Sequence, residues 1–135
     1  MKKIYYLISN NEFSFGLKKA LEMIIGKQDT LHAFGLIKGE DPAEVAAIIK
    51  SSVTKDSEVV IFSDMAEGEL FESVLCLARE RNVVLVTGTS LPLAIEIIVT
   101  QMTDKISIQE SIKKAREGMK VLVLTPAEDQ EDDFF

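Results

Sequence analysis

Lys3–Ile25, KIYYLISNNEFSFGLKKALEMII, decides the fold. Its opening run, Lys3–Ile8, is short, β-branched and aromatic and is closed by Asn10-Asn11, the pattern of a buried strand ending in a turn. The period then changes. Phe13, Leu17, Leu21, Ile24 and Ile25 fall at helical spacing, and Gly26 stands where a helix C′ glycine belongs. A strand with no polar face, followed at once by a helix, is the first half of a crossover unit.

The alternation continues outward from that stretch. Leu31–Ile37 (LHAFGLI) reads as a second strand, and Asp41-Pro42 opens a helix through Val45, Ile48 and Ile49, since proline is tolerated in a first turn. Glu58–Phe62 (EVVIF) is a third strand ending at Ser63-Asp64, followed by a helical stripe over Leu70–Arg79. Asn82–Val86 (NVVLV) is a fourth, followed by a helix over Ser90–Met102 that is apolar on most sides. Ser107 and Glu110 have the spacing of a capping box for a helix reaching Gly118, and Met119–Leu124 (MKVLVL) reads as a last strand. The expected architecture is an α/β domain with a mainly parallel open sheet, four parallel strands plus a final edge strand, and helices on both faces. It is expected to span residues 1–125, with 126–135 as an acidic, disordered tail.

Composition narrows the function. With 15 Lys+Arg against 22 Asp+Glu over 135 residues the net charge is −7, the wrong sign for displacing phosphate counterions from nucleic acid. A single cysteine, Cys76, excludes an intrachain disulfide or a cysteine-rich zinc site. It falls beside Leu75 and Leu77 on a helical stripe and is expected in the core. A single histidine, His32, excludes any motif needing two. The apolar run after Lys2-Lys3 stops at Ile8 with no cleavage site beyond it, and LPLAIEIIV is about half of what a bilayer requires, so a cytoplasmic chain is expected. No cofactor or metal is implied.

In such sheets the binding crevice lies beyond the C-terminal ends of the strands. The candidate site residues are therefore Ser9, Asn10 and Asn11 after strand one, Ser63, Asp64, Glu67, Gly68 and Glu69 after strand three, and Thr89 after strand four. Asp64 has two readings, a turn or capping residue or one wall of a small polar pocket with Ser9, Asn10, Ser63 and Thr89.

Four further segments carry a resemblance. ALEMIIGKQD (Ala20–Asp29), GLIKGEDP (Gly35–Pro42), VVLVTGTSLPLAIEII (Val83–Ile98) and AREGMKVL (Ala115–Leu122) resemble, in order, AEMIIGEQ, a stretch ending in PGD, VVTGVNLPMLLE and GREGIKVL of the mannose/fructose/sorbose-class enzyme IIA domains of the bacterial phosphotransferase system (PTS). The resemblance covers Lys3 to about Leu124. It implies a phosphocarrier: HPr donates a phosphoryl group to a histidine directly after strand one, in a Thr-His-Gly stretch, and enzyme IIB receives it. An aspartate ends strand three in that family, and a Gly-Gly-Ser-Pro segment opens the next helix.

This chain keeps part of that pattern. Asn10 stands where the family's histidine would be, with Ser9 and Asn11 flanking it. Asp64 matches the aspartate, and Glu67-Gly68-Glu69-Leu70 replaces Gly-Gly-Ser-Pro. An amide nitrogen has its lone pair delocalised into the carbonyl, so Asn10 cannot do what imidazole does as nucleophile and leaving group. Glu67 and Glu69 place negative charge where backbone N–H groups would hold phosphate. At ~4 Å and an effective dielectric of ~20 each like-charge contact costs about 4 kcal/mol. The same glutamates also complement a helix dipole, and both readings stand. His32 is expected about 17 Å from the site end of its strand.

The reading that follows is a PTS component that does not itself carry phosphate. Its expected partners are HPr, enzyme IIB or a PTS-linked regulator, with membrane contact only through the permease subunits. An active carrier using another residue, or a small-ligand-binding domain in the altered pocket, is the alternative. The resemblance also implies a homodimer, and an apolar final strand leaves an edge that needs cover.

Overall fold

The computed structural model describes residues 1–126. Ten elements follow one another: strand β1 (Lys2–Asn10), helix α1 (Phe13–Ile25), β2 (Leu31–Leu36), α2 (Pro42–Ser52), β3 (Ser57–Ser63), α3 (Glu69–Val74) running into a 3₁₀ segment (Leu75–Arg79), β4 (Val83–Val86), α4 (Leu91–Val99) and α5 (Lys105–Glu117). The strands form one sheet in the order β2-β1-β3-β4, every neighbouring pair parallel.

Alternate residues of each strand serve two cores. Tyr5, Leu7, Val60, Phe62, Val84 and Val86 pack with Leu21 of α1, Leu93, Ala94, Ile97 and Ile98 of α4 and Ile108 of α5. On the other face Ile4, Tyr6, Ile8, Val59, Ile61 and Val83 pack with Val45, Ala46 and Ile49 of α2 and with Leu70 and Val74 of α3. Burial on both faces is why these strands are continuously apolar, and parallel strands need the intervening helices to return the chain.

The order matters for function. From β1 the chain steps to β2 on one side, then crosses back to β3 on the other. The switch point therefore lies between the C-terminal ends of β1 and β3, where open α/β sheets leave a crevice.

Three expectations need correction. The fifth, edge strand does not form: Met119–Leu124 pairs with nothing among the described residues, and Val121, Leu122 and Val123 are 76–87% exposed. The segment has strand-like residues, but a strand exists only when an edge takes its hydrogen bonds, and this single chain brings it to none. The last helix begins three residues before the expected box, because Asp104 caps it, its Oδ2 accepting from Ser107 N at 2.9 Å. Cys76 is exposed, because the buried face of this segment is the line of Leu70, Val74 and Leu77 at i, i+4 and i+7, and Cys76 falls on the opposite side. The expected acidic tail falls, but for Pro126, outside the described residues.

Candidate functional site

β1 ends at Asn10, and a tight turn must lead into α1. Ser9 Oγ accepts from Ser14 N at 2.8 Å and donates to Asn11 O at 3.2 Å, while Asn11 adopts φ +60°. An asparagine tolerates that left-handed backbone better than most residues. Gly35 on β2 makes room for the turn, because a Cβ there would run into Asn11 O and the Phe15 ring. A glycine inside a strand pattern is the one signal of this close approach in the sequence.

β3 ends beside it. Asp64 N donates to Ile8 O, and the Asp64 carboxylate then ties the two loops together, Oδ2 accepting from Asn10 N at 3.3 Å and Oδ1 from Met65 N at 2.9 Å. Asp64 is thus a clip between the loops rather than a helix cap; Gly68 holds the cap position of α3. Gly68 has φ +111°, and a Cβ on it would lie 2.8 Å from Asn10 Nδ2 and 2.9 Å from Oδ1. The Asn10 carboxamide therefore lies against the Gly68 backbone, with its nitrogen 3.9 Å from Met65 Sδ.

Asn10, Asp64 and Gly68 thus meet at the ends of β1 and β3. Glu67 and Glu69 stand exposed on either side of Gly68. Ser63 is buried and its Oγ donates to Met65 O at 2.7 Å, so its hydroxyl, like that of Ser9, is committed to a loop carbonyl. Thr89 is joined to this end by its N–H, which donates to Ser63 O, and its buried Oγ1 has no partner among the described residues. Asn11 is exposed at the turn. Sequence reading did not single out the exposed apolar residues around this end, Phe13, Phe15, Ile37 and Met65. Nothing in periodicity distinguishes an outward phenylalanine in a first turn from a core one.

His32 is elsewhere. It pairs with Tyr6, four register positions before the Asn10–Leu36 pair, about 13 Å along the strand. Its ring lies 5.5 Å from that of Tyr6, and burial, with Lys18 and Lys2 nearby, lowers its pKa.

The fold is thus a doubly wound parallel sheet, with a carboxylate and a short polar residue meeting at its switch point. Comparison with known proteins gives its family. The family model described as the PTS system fructose IIA component (EIIA-man) matches residues 7–116, so the chain belongs to that family.

Solved structures agree on the fold. A phosphoenolpyruvate-dependent sugar PTS permease from Klebsiella pneumoniae superposes with a TM-score of 0.80 at 22% identity, covering 90% of this chain and 91% of that one. The PTS IIA protein associated with the fucose utilization operon of Streptococcus pneumoniae gives 0.76 at 23%, covering 90% and 93%. The mannose/sorbose-specific IIA subunit from Enterococcus faecalis gives 0.69 at 19%, covering 93% and 98%. No curated protein sequence matches the chain.

Proposed function

We propose that this PTS enzyme IIA component takes part in sugar phosphotransfer systems by binding their proteins, without carrying the phosphoryl group itself. The observation behind this reading is the residue at the end of β1: an asparagine, its backbone N–H held by Asp64 and its carboxamide lying on Gly68, where the family resemblance puts the phosphohistidine. A carboxamide offers no lone pair for reversible phosphorylation. Glu67 and Glu69 argue in the same direction, since they flank the glycine against which a phosphoryl group would sit. On this reading Asn10 and Asp64 are vestiges of the family's site, and Ser9, Asn11, Ser63, Glu67, Gly68, Glu69 and Thr89 frame the altered pocket.

The test is incubation of the protein with labelled phosphoenolpyruvate, enzyme I and HPr. No acid-labile label is expected; stoichiometric label on any residue would sink the inactive-carrier reading. The remaining histidine is a poor substitute, because it lies far along β2 with its ring tilted against that of Tyr6.

The binding partners on this reading are HPr, enzyme IIB or a PTS-linked regulator on the cytoplasmic side. Membrane contact then runs through permease subunits, in keeping with the lack, among the described residues, of any helix long and apolar enough to cross a bilayer. Residues 1–125 act as one IIA-like domain. A homodimer is part of the same proposal. The outer edge of β4 is open, a groove of about 270 Å³ runs along it beside Ile108 and Ile112, and Met119–Leu124 is an exposed apolar segment of strand-like composition. A second copy's Met119–Leu124 fits that edge. Light scattering of the full chain should give a dimer mass, and truncation after Gly118 should give a monomer; a full chain that is monomeric at high concentration contradicts the dimer.

A further inference from the structure

We propose that the acidic segment Glu128–Phe135 docks in a recess beside the start of β4 of a second copy of the chain, against Arg81, Lys105 and Ile106. This rests on the dimer reading above, in which Met119–Leu124 lies along a second copy's β4, and adds where the chain beyond it goes.

Glu128–Phe135, outside the described residues, has the sequence EDQEDDFF, with five carboxylates, no cation and two phenylalanines. A surface that takes it must be both cationic and apolar. Such a surface adjoins the open edge of β4. The groove beside Ile108 and Ile112 shares Val84 and Lys105 with a recess of about 450 Å³, so one runs into the other. Arg81 and Lys105 line that recess, and with them stands Ile106, 76% exposed. Both cations are exposed, and neither is ion-paired among the described residues, where the pairs are Lys18–Glu22 and Lys114–Glu96. Two carboxylates share the wall, Glu58 and Asp104, and Asp104 is already held by the Ser107 N–H. A cavity of ~150 Å³ accepts benzene, so the recess has room for a phenylalanine ring beside Ile106.

Charge sets the direction in which the docked strand runs. Parallel to β4, Met119–Leu124 would deliver Glu128–Asp133 to the C-terminal end of the sheet. The loops there at 11–12, 37–41, 64–68 and 87–90, with the first four residues of the helices they open, hold eight carboxylates and one cation, Lys38. Antiparallel, the strand delivers them to the N-terminal end, where Arg81 and Lys105 stand. All other residues of 1–126 hold nine carboxylates and fourteen cations, so the acidic segment is repelled from the first end and attracted to the second. Lengths agree with this. Met119–Leu124 spans ~20 Å as a strand against ~13 Å for Val83–Val86, which carries Leu124 past Val83 to the level of Arg81. Thr125–Ala127 then reach up to ~10 Å, and Glu128 arrives at the recess.

Sedimentation of the full chain gives the dimer dissociation constant at about 50 mM and about 500 mM NaCl. At the lower salt Arg81→Gln/Lys105→Gln and Asp132→Asn/Asp133→Asn are each expected to weaken the dimer ~10-fold, because a two-fold dimer holds the contact twice. Combining all four substitutions is expected to add less than ~3-fold to either pair alone, since each pair removes the other's partner. That coupling, which damage to the β4 edge alone would not produce, separates docking from a structural loss. At the higher salt the losses should shrink to ~2-fold. Lys19→Gln/Lys50→Gln removes the same charge from α1 and α2 and is expected to change the constant less than ~2-fold. Losses that multiply in the combined variant, a control loss equal to that of Arg81→Gln/Lys105→Gln, or no loss at all would each overturn the docking and leave the dimer standing. A parent chain that is monomeric at high concentration overturns the dimer reading, and the docking with it.

Discussion

At the N-terminal ends of the strands, polar side chains tie one segment to another. Asn82 Nδ2 donates to Thr54 O at 2.6 Å and Ser57 O at 2.8 Å, the Tyr5 hydroxyl donates to Met102 O, and Lys3 Nζ donates to Gln101 O. Carboxylates at this end are held by backbone N–H groups, Glu22 by Gln28 and Asp104 by Ser107. The C-terminal ends are different. There Asp41 caps its own helix and Asp64 ties two loops together, while Glu12, Glu67 and Glu69 stand exposed and Phe13, Phe15 and Met65 are exposed at the same end. One end closes the fold, and its groups satisfy one another. The other end leaves charge and apolar surface exposed to solvent.

The contrast breaks if removing a tie at the closed end costs nothing. Asn82→Ala deletes two hydrogen bonds and leaves two loop carbonyls without their donor, so a loss of about 1–2 kcal/mol is expected in urea denaturation. A midpoint unchanged from the parent would show that the closed end is held by its apolar core alone.

Acid sharpens the same contrast. The Gln28 N–H, helped by Lys18, holds Glu22 below its ordinary pKa of 4.5, and the Ser107 N–H holds Asp104 below 3.8. Both folded-state values are depressed, so each group's contribution to stability is complete above its ordinary value and is lost as pH falls through the folded one. Unfolding midpoints should therefore begin to fall below about pH 4.5, with Asp104 contributing only below about pH 3.8. The decline should be shallower in Glu22→Gln/Asp104→Asn, and equal slopes in parent and variant would place the acid-sensitive groups elsewhere.

The same division explains what could be read from the sequence. The four strands and the helices between them were legible, because burial on both faces writes continuous apolar runs and helical stripes. Asn10 and Asp64 were legible as neighbours, because a strand-end position in a parallel sheet is fixed by topology rather than by side chain. Other features depend on contacts that periodicity does not encode. Met119–Leu124 has the residues of a strand, but whether an edge receives it is a fact about the rest of the molecule. Cys76 stands outward because the buried face is the i, i+4, i+7 line of Leu70, Val74 and Leu77, and a stripe that also counts Leu75 is drawn too wide. Asp104 displaced the expected cap because two acceptable capping residues lay three apart and only geometry chose between them.

The smallest effect expected concerns the open end itself. Asn10→His places an imidazole at the end of β1, beside the Asp64 carboxylate that would orient it. On the proposed reading this restores a nucleophile but not a place for the phosphoryl group, because Glu67 and Glu69 still flank Gly68. Label from phosphoenolpyruvate through enzyme I and HPr should therefore stay at least ~10-fold below that of Asn10→His/Glu67→Gly/Glu69→Ser, a difference of about 1.4 kcal/mol. Stability should change by less than ~0.5 kcal/mol in either variant, since the three side chains are exposed and the one tie among them is the weak contact of Asn10 Nδ2 with Met65 Sδ. Rapid labelling of Asn10→His alone would mean that solvent screens the two glutamates almost completely. Their part in excluding phosphate would then fall away, leaving the missing imidazole as the sole barrier to transfer.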